Sequence, residues 1–334
     1  MVKRYILNLD LSAENRWLHI LNDYKQKIPE LKLHVDKIFE NLNLGYFSKN
    51  FLYYLIRFFE LSGYMIYSDE LRIFSNYTGI EIEKIVFMQL YYEMAASYTT
   101  LITNVNNQPI FLGATDWDSE LLKDLTIELD VQKNNKTIFI ATTWICCAGF
   151  HTISLPNKYS LSINHRGSHN INSKSLLYDI FRMMTKYWPA SYLLRYIAEK
   201  NLDELELHNI LSHAYLISPS YITVCYHNIN KKPAIYIRNI YDLEKIHTDD
   251  YIVLTSCDYD NSGPSVLPTQ SILYNTPRRN LANKIILGNN NNFTSVKKLY
   301  ESFSTYPILN DKTIYTILIT HEDNNINYQT IVNK

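Results

Sequence analysis

The chain has 334 residues, a net charge of -1 and 46% hydrophobic residues. That supports a sizeable core and roughly two domain-sized units. The charge balance lacks the basic footprint of a nucleic-acid binder, and no window reaches the ~18 uninterrupted apolar residues of a membrane span.

The first 98 residues read as mostly helical. A short strand covers Arg4 to Leu9. Apolar residues then recur at helical spacing through Ile20, Leu21, Tyr24 and Ile28, and again from Leu31 to Leu42. The opening MVKRYILNLDLSAENRW shows no long apolar run before Asp10, Glu14 and Arg16, so no cleavable signal peptide is visible. The expectation is a cytoplasmic rather than a lysosomal protein.

The segment from Phe51 to Tyr67 is unusually aromatic. It is either a core helix or an interfacial helix that contacts a membrane through Phe51, Leu55, Phe58 and Phe59. A further helix is expected over Ile80 to Ala96.

From Thr99 the pattern turns to strands: TTLITNV, PIFLGAT, LTIELDVQ, KTIFIATTW and KYSLSINH, with polar breaks at NVNNQP and QKNNK. A helical block follows, SLLYDIFRMMTKYW, ASYLLRYIAEK and ELELHNILSHAY. Strands return at YITVCYHN, AIYIRNI and DYIVLTS, then a helix from Ser295 to Phe303 and a strand IYTILITH. Strands, helices and strands again predict two sheets with helices outside. Cys146, Cys147, Cys225 and Cys257 fit no zinc or redox spacing and read as reduced structural thiols. Nothing calls for a cofactor or metal.

The Tyr98–Thr99 junction carries the chemistry. Hydrolysis of an amide needs a nucleophile, a base and an oxyanion donor. A chain that cuts itself before a Thr at the start of a strand obtains the first two together, because the freed α-amine, with an ordinary pKa near ~8, serves its own side chain as base. Here a helix ending YYEMAASY runs into TTLIT.

The block YEMAASYTTLITNVNNQPIFLGATDWD resembles the cleavage segment of the acid ceramidase and N-acylethanolamine acid amidase family, where a Tyr-Glu pair leads to Cys-Thr-Ser-Ile-Val and then to Gly-Arg-Asn-x-Asp. NLDLSAENRW, ATTWICCAGFHTISLPNKYSLSINHRG, VLTSCDYD, TPRRN and STYPILNDKTIYTILI resemble further family blocks in the same order. The resemblance implies an α+β chain with a four-layer αββα N-terminal-nucleophile core over residues 99–334 and a helical region over residues 1–98 that covers the nucleophile before cleavage. It also implies N-acyl lipid substrates, either ceramide or a fatty acid ethanolamide, and an alpha/beta heterodimer once the chain is cut.

Carried over residue by residue, the family's Cys falls on Thr99 and its motif Asp on Asp118, which would orient the new amine. Its Arg is replaced by Ala114 or Thr115. Its strand motif Asn-Glu-Arg falls on Asn164, His165 and Arg166, with His165 a pH-sensitive or merely satisfied polar group. Its oxyanion Asn falls on Asp258, or on Cys257 with a one-residue gap. An ionised Asp accepts only and would repel a developing oxyanion. Two readings follow: an amidase acting through Thr99, Asp118, Asn164 and Asp258, or an inactive relative kept for lipid binding or interaction. An acyltransferase using the same acyl-enzyme is a third.

Overall fold

The computed structural model describes residues 2–41, 46–61, 65–95, 97–166, 181–182, 185, 187–256, 269–288, 293, 295–322 and 325–332. Most of SLLYDIFRMMTKYW, together with Cys257 and Asp258, lies outside them.

After β1 (Arg4–Asn8) come α1 (Ala13–Asp23), α2 (Ile28–Asn41), α3 (Tyr46–Leu61), α4 (Ser68–Thr78) and α5 (Ile82–Ala95). Ser12 caps α1 by accepting from the Asn15 N–H. Gly79, at φ +65°, closes α4 in the left-handed conformation that glycine adopts without strain.

β2 (Ser97–Val105) and β3 (Gln108–Asp116) form a hairpin whose two turn residues, Asn106 and Asn107, have positive φ. β4 (Thr126–Lys133) and β5 (Lys136–Trp144) repeat the device with Asn134 and Asn135, after the short α6 (Glu120–Leu125). Asn tolerates that conformation, and such turns match the twist of paired strands. The remaining elements are β6 (Thr152–Ser154), β7 (Tyr159–His165), α7 (Ala190–Lys200), α8 (Glu204–His213), β8 (Ser220–Tyr226), β9 (Ala234–Arg238), β10 (Leu243–Thr248), β11 (Ile252–Thr255), α9 (Thr269–Gly288), α10 (Val296–Phe303), β12 (Thr313–Glu322) and β13 (Asn325–Val332).

Two sheets result. One has eight strands in the order β1-β4-β5-β6-β7-β8-β9-β10, the other five in the order β11-β2-β3-β12-β13. They stack face to face through hydroxyl contacts: Thr142 to Tyr328 at 2.7 Å and to Thr330 at 2.8 Å. α7 packs on the eight-stranded sheet, and α9 and α10 cover the other. These are the two sheets with helices outside that the strand–helix–strand order predicts, in the αββα sandwich that the family resemblance implies.

The helical N-terminal region is tied into the sandwich at several places, among them β1, Glu70 and the buried Gln89, which donates to the Cys146 carbonyl and accepts from the Ala148 N–H. β1 pairs in parallel with β4, so residues before the junction complete the larger sheet. Glu70 of α4, fully buried, receives both terminal nitrogens of Arg195 from α7 at 2.5 and 2.6 Å and a third contact from Arg16 at 3.1 Å. The Arg195 guanidinium also lies 3.9 Å from the Tyr67 ring centre. Burial opposes the charged carboxylate, yet the arginines hold the Glu70 pKa below its ordinary value.

Candidate active site

β2 begins at Ser97, two residues earlier than the sequence reading has it, so the Tyr98–Thr99 bond lies within a paired strand. Tyr98 opposes Thr115, Thr99 opposes Ala114 and Thr100 opposes Gly113 on β3. Successive side chains in a strand point to opposite faces, and the surroundings fix which face is which. Tyr98, Thr100 and Ile102 look toward the larger sheet. The Tyr98 hydroxyl meets the Thr152 hydroxyl at 3.1 Å, and the Thr100 hydroxyl donates to the Asn164 side-chain oxygen Oδ1 at 3.3 Å. Thr99 and Leu101 look the other way, into the helical layer, where Leu101 and Leu112 pack with Ala282, Ile286 and Leu299.

Thr99 is therefore fully buried on the helix-covered side, and its hydroxyl has no hydrogen-bond partner among the described residues. Asn164, from β7, reaches the strand from the inter-sheet side and donates its amide to the Tyr98 carbonyl at 3.4 Å. That carbonyl belongs to the bond preceding Thr99. The Thr99 hydroxyl and the Asn164 amide thus stand at one peptide on opposite sides of the strand. This suits addition to a carbonyl, since attack from one face pushes the oxygen toward the other.

A charged cluster stands one row away on the helix-covered side. Ser97 and Asp116 oppose each other in register. Arg278 of α9, fully buried, pairs with Asp116 and donates to the Ser97 hydroxyl at 2.6 Å and to Asn275. Asn310 adds a donation to Asp116 at 3.4 Å. Ser256 accepts from the Tyr98 N–H at 3.1 Å. Ala114, opposite Thr99, offers only a methyl group. Among the described residues the buried cation at this junction is Arg278, delivered by a helix more than 150 residues downstream (162 from Asp116).

The other expected residues are scattered. Asp118 lies beyond the end of β3 with its side chain 86% exposed, 3.4 Å from Lys312. It sits two residues past the buried Asp116, which the sequence reading passed over in GATDWD. His165 is half-buried at the end of β7, with a ring orientation opposite in parity to Asn164. Arg166 pairs with Glu244 at 2.6 Å and Asn239 at 3.0 Å, away from the junction. On α3, Leu52 and Ile56 are core residues and Leu55 is half-buried, whereas Phe51, Tyr54 and Phe58 are 60%, 70% and 55% exposed. The side chain of Phe59 lies outside the described residues. No described helix is long and apolar enough to cross a membrane. An open cavity of about 500 Å³ lies at β1 and α1, lined by Arg4, Ile6, Leu11 and Arg16. Both arginines are already paired, with Glu128 and Glu70, and no Ser, Thr or Cys lines it.

Two stacked sheets between helical layers, with Thr99 on an inner strand, define an N-terminal-nucleophile hydrolase fold. A family model described as the beta subunit of N-acylethanolamine-hydrolyzing acid amidase matches residues 1–59. An uncharacterized protein of Acanthamoeba polyphaga mimivirus is 30% identical over 317 residues, covering 94% of each chain. Acid ceramidase of Mus musculus is 27% identical over 347 residues, covering 94% of this chain and 82% of its own. In fold, the Caenorhabditis elegans ortholog of N-acylethanolamine-hydrolyzing acid amidase superposes with a TM-score of 0.55 at 22% identity, over 66% of this chain and 92% of its own. The chain belongs to the acid ceramidase and N-acylethanolamine acid amidase family, whose named members are amidohydrolases.

Proposed function

We propose that the chain is a lipid amidase that first cuts its own Tyr98–Thr99 bond and then releases a fatty acid from an N-acyl amide, a ceramide or an N-acylethanolamine. The observation that carries this is the Asn164 amide on the Tyr98 carbonyl, with the Thr99 hydroxyl, which has no partner among the described residues, on the opposite side of the strand. In the cut chain the new Thr99 amine is the base, and Asn164 remains as carbonyl donor. Arg278 and Asp116 flank Thr99 on its own side and take the place that the sequence reading gave to Asp118. The exposed aromatics of α3 are proposed as a membrane contact through which a lipid reaches the protein. We further propose a near-neutral compartment, supported by the buried neutral histidines discussed below.

A second reading is an uncut family member that binds without turnover. It is favoured by Tyr98. The family's Cys-Thr-Ser-Ile-Val also fits one residue earlier, on Tyr98 to Ile102, and this puts a fully packed phenol where the family has its thiol.

Purified protein and Thr99→Ala are incubated at acidic and neutral pH, and any fragments are N-terminally sequenced. A fragment beginning at Thr99 and absent from the variant supports the amidase, provided fatty acid release from a ceramide and acylethanolamide panel accompanies it. Full-length chain throughout leaves the binding protein.

A further inference from the structure

Tyr98 is placed unlike an ordinary core tyrosine. Its ring crosses from β2 over β3 at Gly113, so closely that a Cβ on Gly113 would stand 2.1 Å from the phenol oxygen and 2.7 Å from the ring carbon bearing it. Only glycine admits the ring there. The hydroxyl then reaches Thr152 on the opposite sheet at 3.1 Å. Tyr98 is 3% exposed and spans the gap between the sheets beside Thr100 and Asn164.

The groups it touches would make a binding site if it left. Thr152 would lose its phenol partner, Gly113 would present bare backbone, and Thr100 and Asn164 would supply a hydroxyl and an amide. None of these four carries a charge. Among the described residues, the buried cation beside the junction is on the other side of the strand, where Arg278 pairs with Asp116 and Ser97 under α9, and Arg4 on the inter-sheet side is already paired with Glu128. Such a lining can match the donors and acceptors of a neutral amide. It has nothing to neutralise a carboxylate, whose burial unpaired is costly. Burial also holds the Tyr98 phenol in its neutral form.

We infer that the Tyr98 side chain is a stopper in an inter-sheet site for a neutral acyl amide, and that the site opens only when the stopper is withdrawn. For the manner of withdrawal the inference rests on the proposed cut, which makes Tyr98 the last residue of the N-terminal piece. Its remaining tethers are then strand pairing, the Thr152 contact, the Ser256 contact to its N–H and the Asn164 contact to its carbonyl. The cover is thus one side chain inside the sandwich, rather than the helical region as a whole. The arrangement also orders the ligands: an amide is held, and the carboxylic acid left by its hydrolysis is not.

The test is binding to a chain that cannot be cut. Thr99→Ala alone is compared with Thr99→Ala carrying Tyr98→Ala, using N-palmitoylethanolamine and palmitate as probes and titration calorimetry as readout. Tyr98→Val in the same background is the second variant, since a β-branched residue keeps the strand favoured if alanine unfolds the protein. Folding is checked by near-UV circular dichroism, and p-cresol, the missing side chain as a free molecule, is added to each variant.

The expected result is at least tenfold tighter binding of the amide by a folded Tyr98 variant than by Thr99→Ala alone. Palmitate should bind at least tenfold more weakly than the amide, and p-cresol should compete with it. A folded variant that binds the amide no better than Thr99→Ala, or binds amide and acid alike, overturns the inference. A variant that takes up p-cresol but not the amide also overturns it, because Tyr98 is then core packing only. The two failures are separable. Without self-cleavage but with amide binding by the variant, the amidase reading falls and the stopper stands. With cleavage but no binding, the reverse holds.

Discussion

The two faces of the five-stranded sheet meet the same strand with opposite chemistry. Beside the junction the inter-sheet face is lined by neutral hydroxyls and an amide, Tyr98, Thr100, Thr152 and Asn164; farther along the same face, past Thr142, Glu128 accepts from the Thr330 N–H and pairs with Arg4. The helix-covered face carries an apolar cluster and, at the junction, the buried Arg278–Asp116 pair. The first face can recognise a neutral polar group without an ion. The second can hold charge beside Thr99, but only under a helix that excludes solvent. Tyr98 and Thr99, neighbours in sequence, therefore belong to different chemical environments.

The largest effect that would sharpen this contrast is expected from Asp116→Ala. It strands the fully buried Arg278 without its carboxylate, and losing one partner of a buried pair costs about 3–5 kcal/mol. Denaturant unfolding should show that loss, with Asp116→Asn intermediate because it keeps a hydrogen-bond acceptor. Asp118→Ala, at an 86% exposed side chain, should leave stability within about 0.5 kcal/mol of the parent. If the two alanine variants behave alike, Asp116 is not the anchor of the helix-covered face.

How far this was legible in the sequence follows from the period of a strand. The two Asn-Asn turns, the β2–β3 hairpin, the opening strand and the helix before the junction are local patterns, and each stands within two residues of its expected place. Short or polar elements such as β6, β10 and β13 were missed, because their residues gain strand structure from neighbours rather than from alternation. So was α9, in which Pro277 interrupts the helical signal. The site was legible only to within one residue. A shift of one in a strand exchanges the faces, so the cleavage block identified the junction without fixing whether Tyr98 or Thr99 looks into the sandwich. Arg278 was out of reach for a different reason: nothing local in TPRRN shows that it will meet Asp116, which lies 162 residues earlier.

A second, graded effect concerns acid. His227 and His321 stack between the sheets with ring centres 3.3 Å apart, and the His227 Nε2 lies 3.1 Å from the Ser160 hydroxyl. His151 lies against Trp144 with ring centres 4.4 Å apart. Burial pushes His151 down to about 3 and His321 to about 4; burial and then the neighbouring imidazole push His227 to about 2. In the unfolded chain each titrates near ~6.5. Below that pH the unfolded state binds more protons than the folded one, so stability falls as pH falls. Each histidine contributes up to about 1.4 kcal/mol per pH unit until its own folded value is passed. Thermal melts from pH 7.5 to 5 should show a steep decline in Tm, made shallower by His321→Phe. A flat profile would remove the support for a near-neutral compartment.

The smallest effect separates the two residues of the junction most directly. The Thr99 hydroxyl is buried without a described partner, and leaving such a group unsatisfied costs free energy that an apolar replacement removes. Thr99→Val should therefore stabilise the uncut chain by roughly 1 kcal/mol, while abolishing any cut at Tyr98–Thr99. Tyr98→Phe should do the opposite, destabilising by roughly 1 kcal/mol through loss of the Thr152 contact while leaving the cut intact. A hydroxyl retained at a cost to folding is what a nucleophile requires. If Thr99→Val is instead destabilising, the hydroxyl is satisfied in solution by water or a polar group, and the case for Thr99 as a poised nucleophile loses its structural ground.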